Sequence, residues 1–126
     1  MKIQYWKELA EYALETAKAM LDTKRYLYVG FMCHQAAEKM MKAYYASLYD
    51  QHPPRTHNLR MLAQQADILK ELSEEQMELL NTLEPLNVEA RYPTDKKRLL
   101  QSLNNKRCQF LYQSTQEFLE WIKKRL

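Results

Sequence analysis

At 126 residues, 46% of them apolar and 28% charged, the chain is the size of one domain with one hydrophobic core and has the balance of a folded globular protein. Its formal charge is +3, and a single glycine excludes the glycine-rich phosphate loops and dinucleotide fingerprints, which need several glycines to bring backbone N–H groups onto a phosphate. No run approaches the roughly 20 apolar residues of a membrane helix, and the first fifteen residues carry five charges instead of an apolar leader core, so a cytoplasmic location is expected.

Few Gly, few Pro and many Leu, Ala, Lys, Glu and Gln predict an all-α chain. The spacing of Trp6, Leu9, Ala10, Ala13, Ala17, Met20 and Leu21 predicts a first helix over 4–21. Asp22-Thr23 reads as a break and N-cap for a long second helix, 24–49. Its pattern puts Tyr28, Phe31, Met32, Gln35, Ala36, Lys39, Met40, Ala43 and Tyr44 on one side and Glu38 and Lys42 on the other. Gly30 costs a helix about 1 kcal/mol relative to Ala, so a close helix–helix approach is expected there, against the alanines of the first helix.

Pro53-Pro54 ends helix two and makes 50–57 a loop. Thr56 or Asn58 then caps a third helix over 58–72, with Leu59, Leu62, Ala63, Ala66 and Leu69 inward. Ser73-Glu74-Glu75-Gln76 is a capping box for a fourth helix, which Pro85 kinks or restarts. A second loop covers 91–95, and Thr94 or Asp95 can cap the helical segment after it. The last helix runs from about 104 to 124 with Cys108, Leu111, Thr115, Phe118, Leu119 and Ile122 inward; 96–103 is either its first turns or a separate short helix. Long helices on short polar loops give a single domain, 1–126, as an antiparallel bundle of about five helices with a four-helix up-and-down core.

Charge is unevenly placed. Residues 1–90 hold 10 Lys and Arg against 13 Asp and Glu, while 91–126 hold 9 against 3, so the last third suits an acidic partner or a phosphate, or is simply a solvated face. Cys33 and Cys108 stand apart with no CxxC and read as buried thiols. His34 and Glu38 sit at i, i+4, but two ligands do not make a metal site, and a surface or partner-facing pair is the simpler reading. Glu74, Glu75 and Glu78 fall in the first turns of a helix, where acids complement the dipole, and Glu84 and Glu89 are expected to be exposed beside Pro85. No metal and no cofactor is expected.

Three clusters in register carry more. Arg25-Tyr26 is followed by His34-Gln35-Ala36-Ala37-Glu38-Lys39-Met40-Met41-Lys42-Ala43; then comes Pro54-Arg55-Thr56-His57-Asn58-Leu59; then Ala90-Arg91-Tyr92-Pro93. Together these resemble the HEPN family (higher eukaryotes and prokaryotes nucleotide-binding), with its signature second helix, its Thr-His turn opening helix three and its Arg-Tyr-Pro segment after helix four. Many members of that family are ribonucleases with an Arg-x(4–6)-His motif. Here Arg25 is too far from His34, Arg55 too close to His57, and no histidine follows Arg60 or Arg91. The chain therefore looks like the small, non-nuclease branch whose members associate with a minimal nucleotidyltransferase.

The resemblance implies a binding module, and the missing Arg-x(4–6)-His motif leans against an enzyme without deciding it; the nucleotide or small-substrate cleft would be built from Gln35, Glu38, Lys39, His57, Arg91 and Tyr92. The resemblance also implies a homodimer that pairs with a separate nucleotidyltransferase in a toxin–antitoxin-like arrangement. Tyr44, Tyr45, Tyr49 and Tyr92 are the candidates for an interaction face, and helices carrying Tyr and Met for the dimer seam. RNA is a less favoured ligand. The rival readings are a ribonuclease toxin with a diverged site and a purely structural dimer, in which the polar cluster is an ion-pair network that fixes helix register.

Overall fold

A computed structural model describes residues 2–87, 97–98 and 101–126. Among them there is no strand; the helices are α1 (Lys2–Asp22), α2 (Tyr26–Leu48), α3 (Leu59–Gln65), α4 (Glu74–Leu83) and α5 (Asn105–Lys123). They form the expected all-α bundle. Short 3-10 segments, Leu69–Glu71 and Glu84–Asn87, follow α3 and α4. No described helix is long and apolar enough to cross a membrane.

The α1–α2 connection is a Schellman turn. Lys24 takes the left-handed conformation at φ 62°, Arg25 N–H donates to the Met20 carbonyl at 2.7 Å and Lys24 N–H to Leu21 at 3.1 Å. The break expected at Asp22-Thr23 is real, but neither residue caps α2; Arg25 occupies that position without a side-chain cap. A second Schellman turn, with Asp67 at φ 59° and Ile68 N–H on the Ala63 carbonyl, stops α3 at Gln65. The helix expected over 58–72 is therefore cut short, because Asp tolerates the left-handed geometry that ends a helix. Of the two candidates for α3, Asn58 is the cap, accepting from Met61 N–H, and Ser73 and Gln76 form the expected capping box; Asn104, which accepts from Arg107 N–H, caps α5.

Helix α2 is the centre of the molecule and touches α1, α3, α4, α5 and the Glu84–Asn87 segment. Small residues are buried on both of the first two helices: Ala10, Ala13 and Ala17 of α1 and Ala36, Ala37 and Ala43 of α2. On α5 all six residues expected inward are buried. The division of α2 into two faces does not hold. Glu38 and Lys42, assigned to the side away from the core, are 0% and 6% exposed, while Tyr28 is 52% exposed. The residues read as inward are themselves divided: Tyr28 is exposed and Phe31, Met32, Gln35 and Lys39 are half-buried along one stripe, while Ala36, Met40, Ala43 and Tyr44 are buried, so apolar and aromatic residues on the outer stripe hid the solvent side from the period.

Gly30 does mark a close approach, but to Leu86 after α4 and not to the alanines of α1: a Cβ there would lie 2.7 Å from Leu86 Cδ1. Gly30→Ala is expected to cost about 1 kcal/mol net in urea unfolding, because overpacking of up to about 3 kcal/mol exceeds the helix-propensity gain of about 1 kcal/mol. In a Leu86→Ala background the same change should stabilise. A stabilising effect in the unaltered chain would show that Leu86 yields freely.

Candidate functional site

One fully buried carboxylate organises the polar residues of the bundle. Glu38 stands in the middle of α2. Its Oε1 accepts from His57 Nδ1 at 2.9 Å, and its Oε2 accepts from Lys39 Nζ at 2.9 Å and Lys42 Nζ at 3.2 Å. Lys42 reaches it because i, i+4 positions stack on a helix. His57 arrives because the Pro53-Pro54 loop delivers the start of α3 against α2, and its side chain remains 67% exposed. Glu84 Oε2 accepts from Leu59 N–H at 2.9 Å, which fixes that α3 terminus to the end of α4. Glu84 is thus half-buried and engaged, not a free surface acid.

Burial alone would raise the Glu38 carboxyl. Hydrogen bonds from Lys39 and His57, with the charges of Lys39 and Lys42, outweigh it and hold the group below the ordinary carboxylate value. The Glu38 charge thus faces two ammonium groups, and Glu84, 4.0 Å from His34, is the second carboxylate of the site. Trp6 of α1 completes it, with Lys42 Nζ 5.3 Å and Lys39 Nζ 5.8 Å from the ring and the His52 ring edge-on at 6.1 Å.

His34 is the other polar group at the centre. It is fully buried, not a surface histidine, because α2 is enclosed on that side too. Its nitrogens lie 3.9 Å from Glu38 and 4.0 Å from Glu84, and neither makes a hydrogen bond of accepted geometry. Burial pushes its pKa down to about 4, against smaller opposing pulls from Glu38 and the His57 backbone. The ring is therefore neutral at physiological pH. Cys33 and Cys108 are buried free thiols, pushed up to about 12 and about 11 by burial, so neither is poised as a nucleophile.

Of the residues singled out in the sequence, Glu38, Lys39 and His57 come together. Gln35, one turn earlier, is turned to another partner, donating to Asn87 Oδ1 at 2.9 Å. Arg91 and Tyr92 lie outside the described residues. Trp6, His34 and Lys42 belong to the cluster although their helical spacing marked them as ordinary stripe or surface positions; only the company of Lys39 and Glu38 within five residues hinted at Lys42. As an interaction face, Tyr44 fails, being 9% exposed and packed into the core. Tyr45 and Tyr49 are half-buried, and the Tyr49 hydroxyl donates to Asp67 at 2.6 Å. Met40 and Met41 are also fully buried and unavailable to a seam. No group of three or more His, Cys, Asp and Glu among the described residues could hold a metal ion. A broad concavity lies elsewhere, between α4 and α5, and none of the cluster residues lines it.

The HEPN domain family matches the chain over residues 3–126. The fold is similar to the crystal structure of TT1696 from Thermus thermophilus, with a TM-score of 0.81 and 20% identity, covering 99% of this chain and 98% of that one. No curated protein matches in sequence.

Proposed function

The chain belongs to the HEPN domain family, and from that premise we propose that it is a helical binding module, not a nuclease, which takes a nucleotide or other small phosphate-bearing substrate at the Glu38 cluster. In this reading it acts as a homodimer and as the partner of a separately encoded minimal nucleotidyltransferase, in a toxin–antitoxin-like pair. The observation that carries it is two ammonium groups gathered on one carboxylate oxygen. Lys39 and Lys42 share Glu38 Oε2, and Lys39 is 21% exposed and can turn from it to an incoming anion. The Trp6 ring beside both ammoniums offers an aromatic surface to a base. His57, held through Nδ1 by Glu38, has Nε2 without a protein partner among the described residues and can donate to a phosphate when protonated.

Calorimetric titration with ATP, ADP and AMP tests this. Binding at micromolar to millimolar concentration is expected, weakened at least about tenfold by Lys39→Ala, a loss of about 1.4 kcal/mol. The melting temperature of the unliganded variant should change little, since Lys39 is partly exposed. No heat at millimolar nucleotide would leave the cluster as a register-fixing ion-pair network. RNA cleavage lost in His57→Ala would restore the ribonuclease reading.

A further inference from the structure

We propose that the groove between α4 and α5 is where a second copy of the chain docks, with α5 packed antiparallel on α5 about a two-fold axis beside Ser114. This rests on the homodimeric part of the reading above and says where the copies meet.

The groove encloses about 810 Å³, walled by Leu79 and Thr82 of α4 and by α5, with Leu111 and Phe118 toward its floor. Helix α5 carries two stripes. One is buried inside the bundle. The other, Arg107, Phe110, Ser114, Glu117, Trp121 and Lys124, recurs at steps of three and four and faces the groove. Phe110 on this second stripe is 70% exposed, the most exposed large apolar residue among those described. An aromatic this exposed on a regular second stripe, beside a groove with an apolar floor of Leu79, Leu111 and Phe118 and a charged rim, is surface suited to cover.

Charge identifies the cover. The N-terminal half of α5 presents Lys106 and Arg107, and the groove's far half presents Glu117 and Glu120, the latter shared with Lys123, with Glu75 and Glu78 across from them on α4. Lys124 is the cation at that end without an ion pair among the described residues, so the acids outnumber it. Arg107, Glu75, Glu78 and Glu117 make no ion pair among the described residues. One surface thus carries both halves of its own complement, which is the property an isologous two-fold contact requires.

The spacing agrees. Arg107 and Trp121 each stand seven residues from Ser114, about 10 Å along the helix, and Phe110 and Phe118 each stand four. Antiparallel packing about Ser114 therefore sets the partner's Arg107 over Trp121, within a turn of Glu117 and Glu120. It also sets the partner's Phe110 level with Phe118, against the groove above that buried ring. A parallel arrangement would oppose like charges. The small serine at the axis allows the helices the usual 8–10 Å approach.

Sedimentation and mild oxidation of the full chain test the surface. At micromolar concentration a species of twice 15.2 kDa is expected. Ser114→Cys should cross-link into a covalent dimer, because thiols at a two-fold axis meet. The unaltered chain, whose Cys33 and Cys108 are buried, should not. Phe110→Asp and Arg107→Glu, both at exposed positions, should sediment as monomers with unchanged circular dichroism and melting. Arg107→Glu with Glu117→Arg should recover the dimer. A dimer that survives Phe110→Asp and does not cross-link through Ser114→Cys overturns this surface and leaves the homodimer standing. A species at 15.2 kDa overturns both.

Discussion

Replacing Glu38 with alanine is expected to cost about 3–5 kcal/mol of folding stability, enough to threaten a small domain whose whole margin is about 5–15 kcal/mol. The carboxylate is fully buried and is the shared acceptor of Lys39, Lys42 and His57. Its loss strands the Lys42 ammonium, itself 6% exposed, with no counter-charge. Lys39 and His57 suffer less because they can turn to water. Urea unfolding at neutral pH measures the cost, and Glu38→Ala with Lys42→Met should recover most of it, since an apolar pair needs no desolvated charge. A cost below about 1 kcal/mol would mean that the ion cluster contributes nothing net to the fold.

The largest pH effect should come from His34. The folded ring has a pKa of about 4 against an ordinary 6.5. Between those values the unfolded chain binds a proton that the native chain does not, so stability rises with pH across the window. Acidifying from about pH 6.5 to pH 4 should therefore remove about 3 kcal/mol, in proportion to the pKa difference. Glu38 has the opposite partner logic but the same direction. Its folded pKa lies below the ordinary 4.5, so its contribution is intact above that pH and is lost as pH falls through the folded value. Acid unfolding should thus show a gradual His34 phase followed by a steeper carboxylate phase. His34→Leu, which removes two unbonded buried nitrogens, should flatten the first phase and cost little or nothing at pH 7. Urea midpoints at several pH values decide it; an unchanged slope in His34→Leu would place the sensitivity in other groups.

What the chain's sequence made legible tracks how asymmetrically each helix is solvated. Helix α5 has one face in the core and one outside, and its six inward residues can be read off the period of 3.6. The capping box at Ser73 was legible, and Asn58 as one of two candidates, because a cap is local chemistry. Helix α2 was legible as a helix but not as a surface. Its half-exposed stripe, Tyr28, Phe31, Met32, Gln35 and Lys39, is apolar enough to pass for a core face, while Glu38, Lys42 and His34 are buried with Met40 and Ala36, and charged residues that satisfy one another look like solvent-facing residues in one dimension. The Glu38–Lys39–His57 contact could be anticipated from short loops folding α3 onto α2. Trp6 could not, because an aromatic at helical spacing gives no sign of whether it packs on apolar atoms or beside ammonium groups.

The tight α1–α2 turn also sets an order of assembly. Joining these two helices closes a very short loop and costs little chain entropy, whereas Asn105 meets Tyr26 only after a separation of 79 residues. The N-terminal hairpin is the inexpensive step and the docking of α5 the late one. Trp6, His34, Glu38, Lys39, Lys42 and His57 all lie in the first half of the chain. As synthesis proceeds from the N-terminus, the ionic centre of the molecule can close before its last helix exists, and α5 arrives on a platform whose register is already locked.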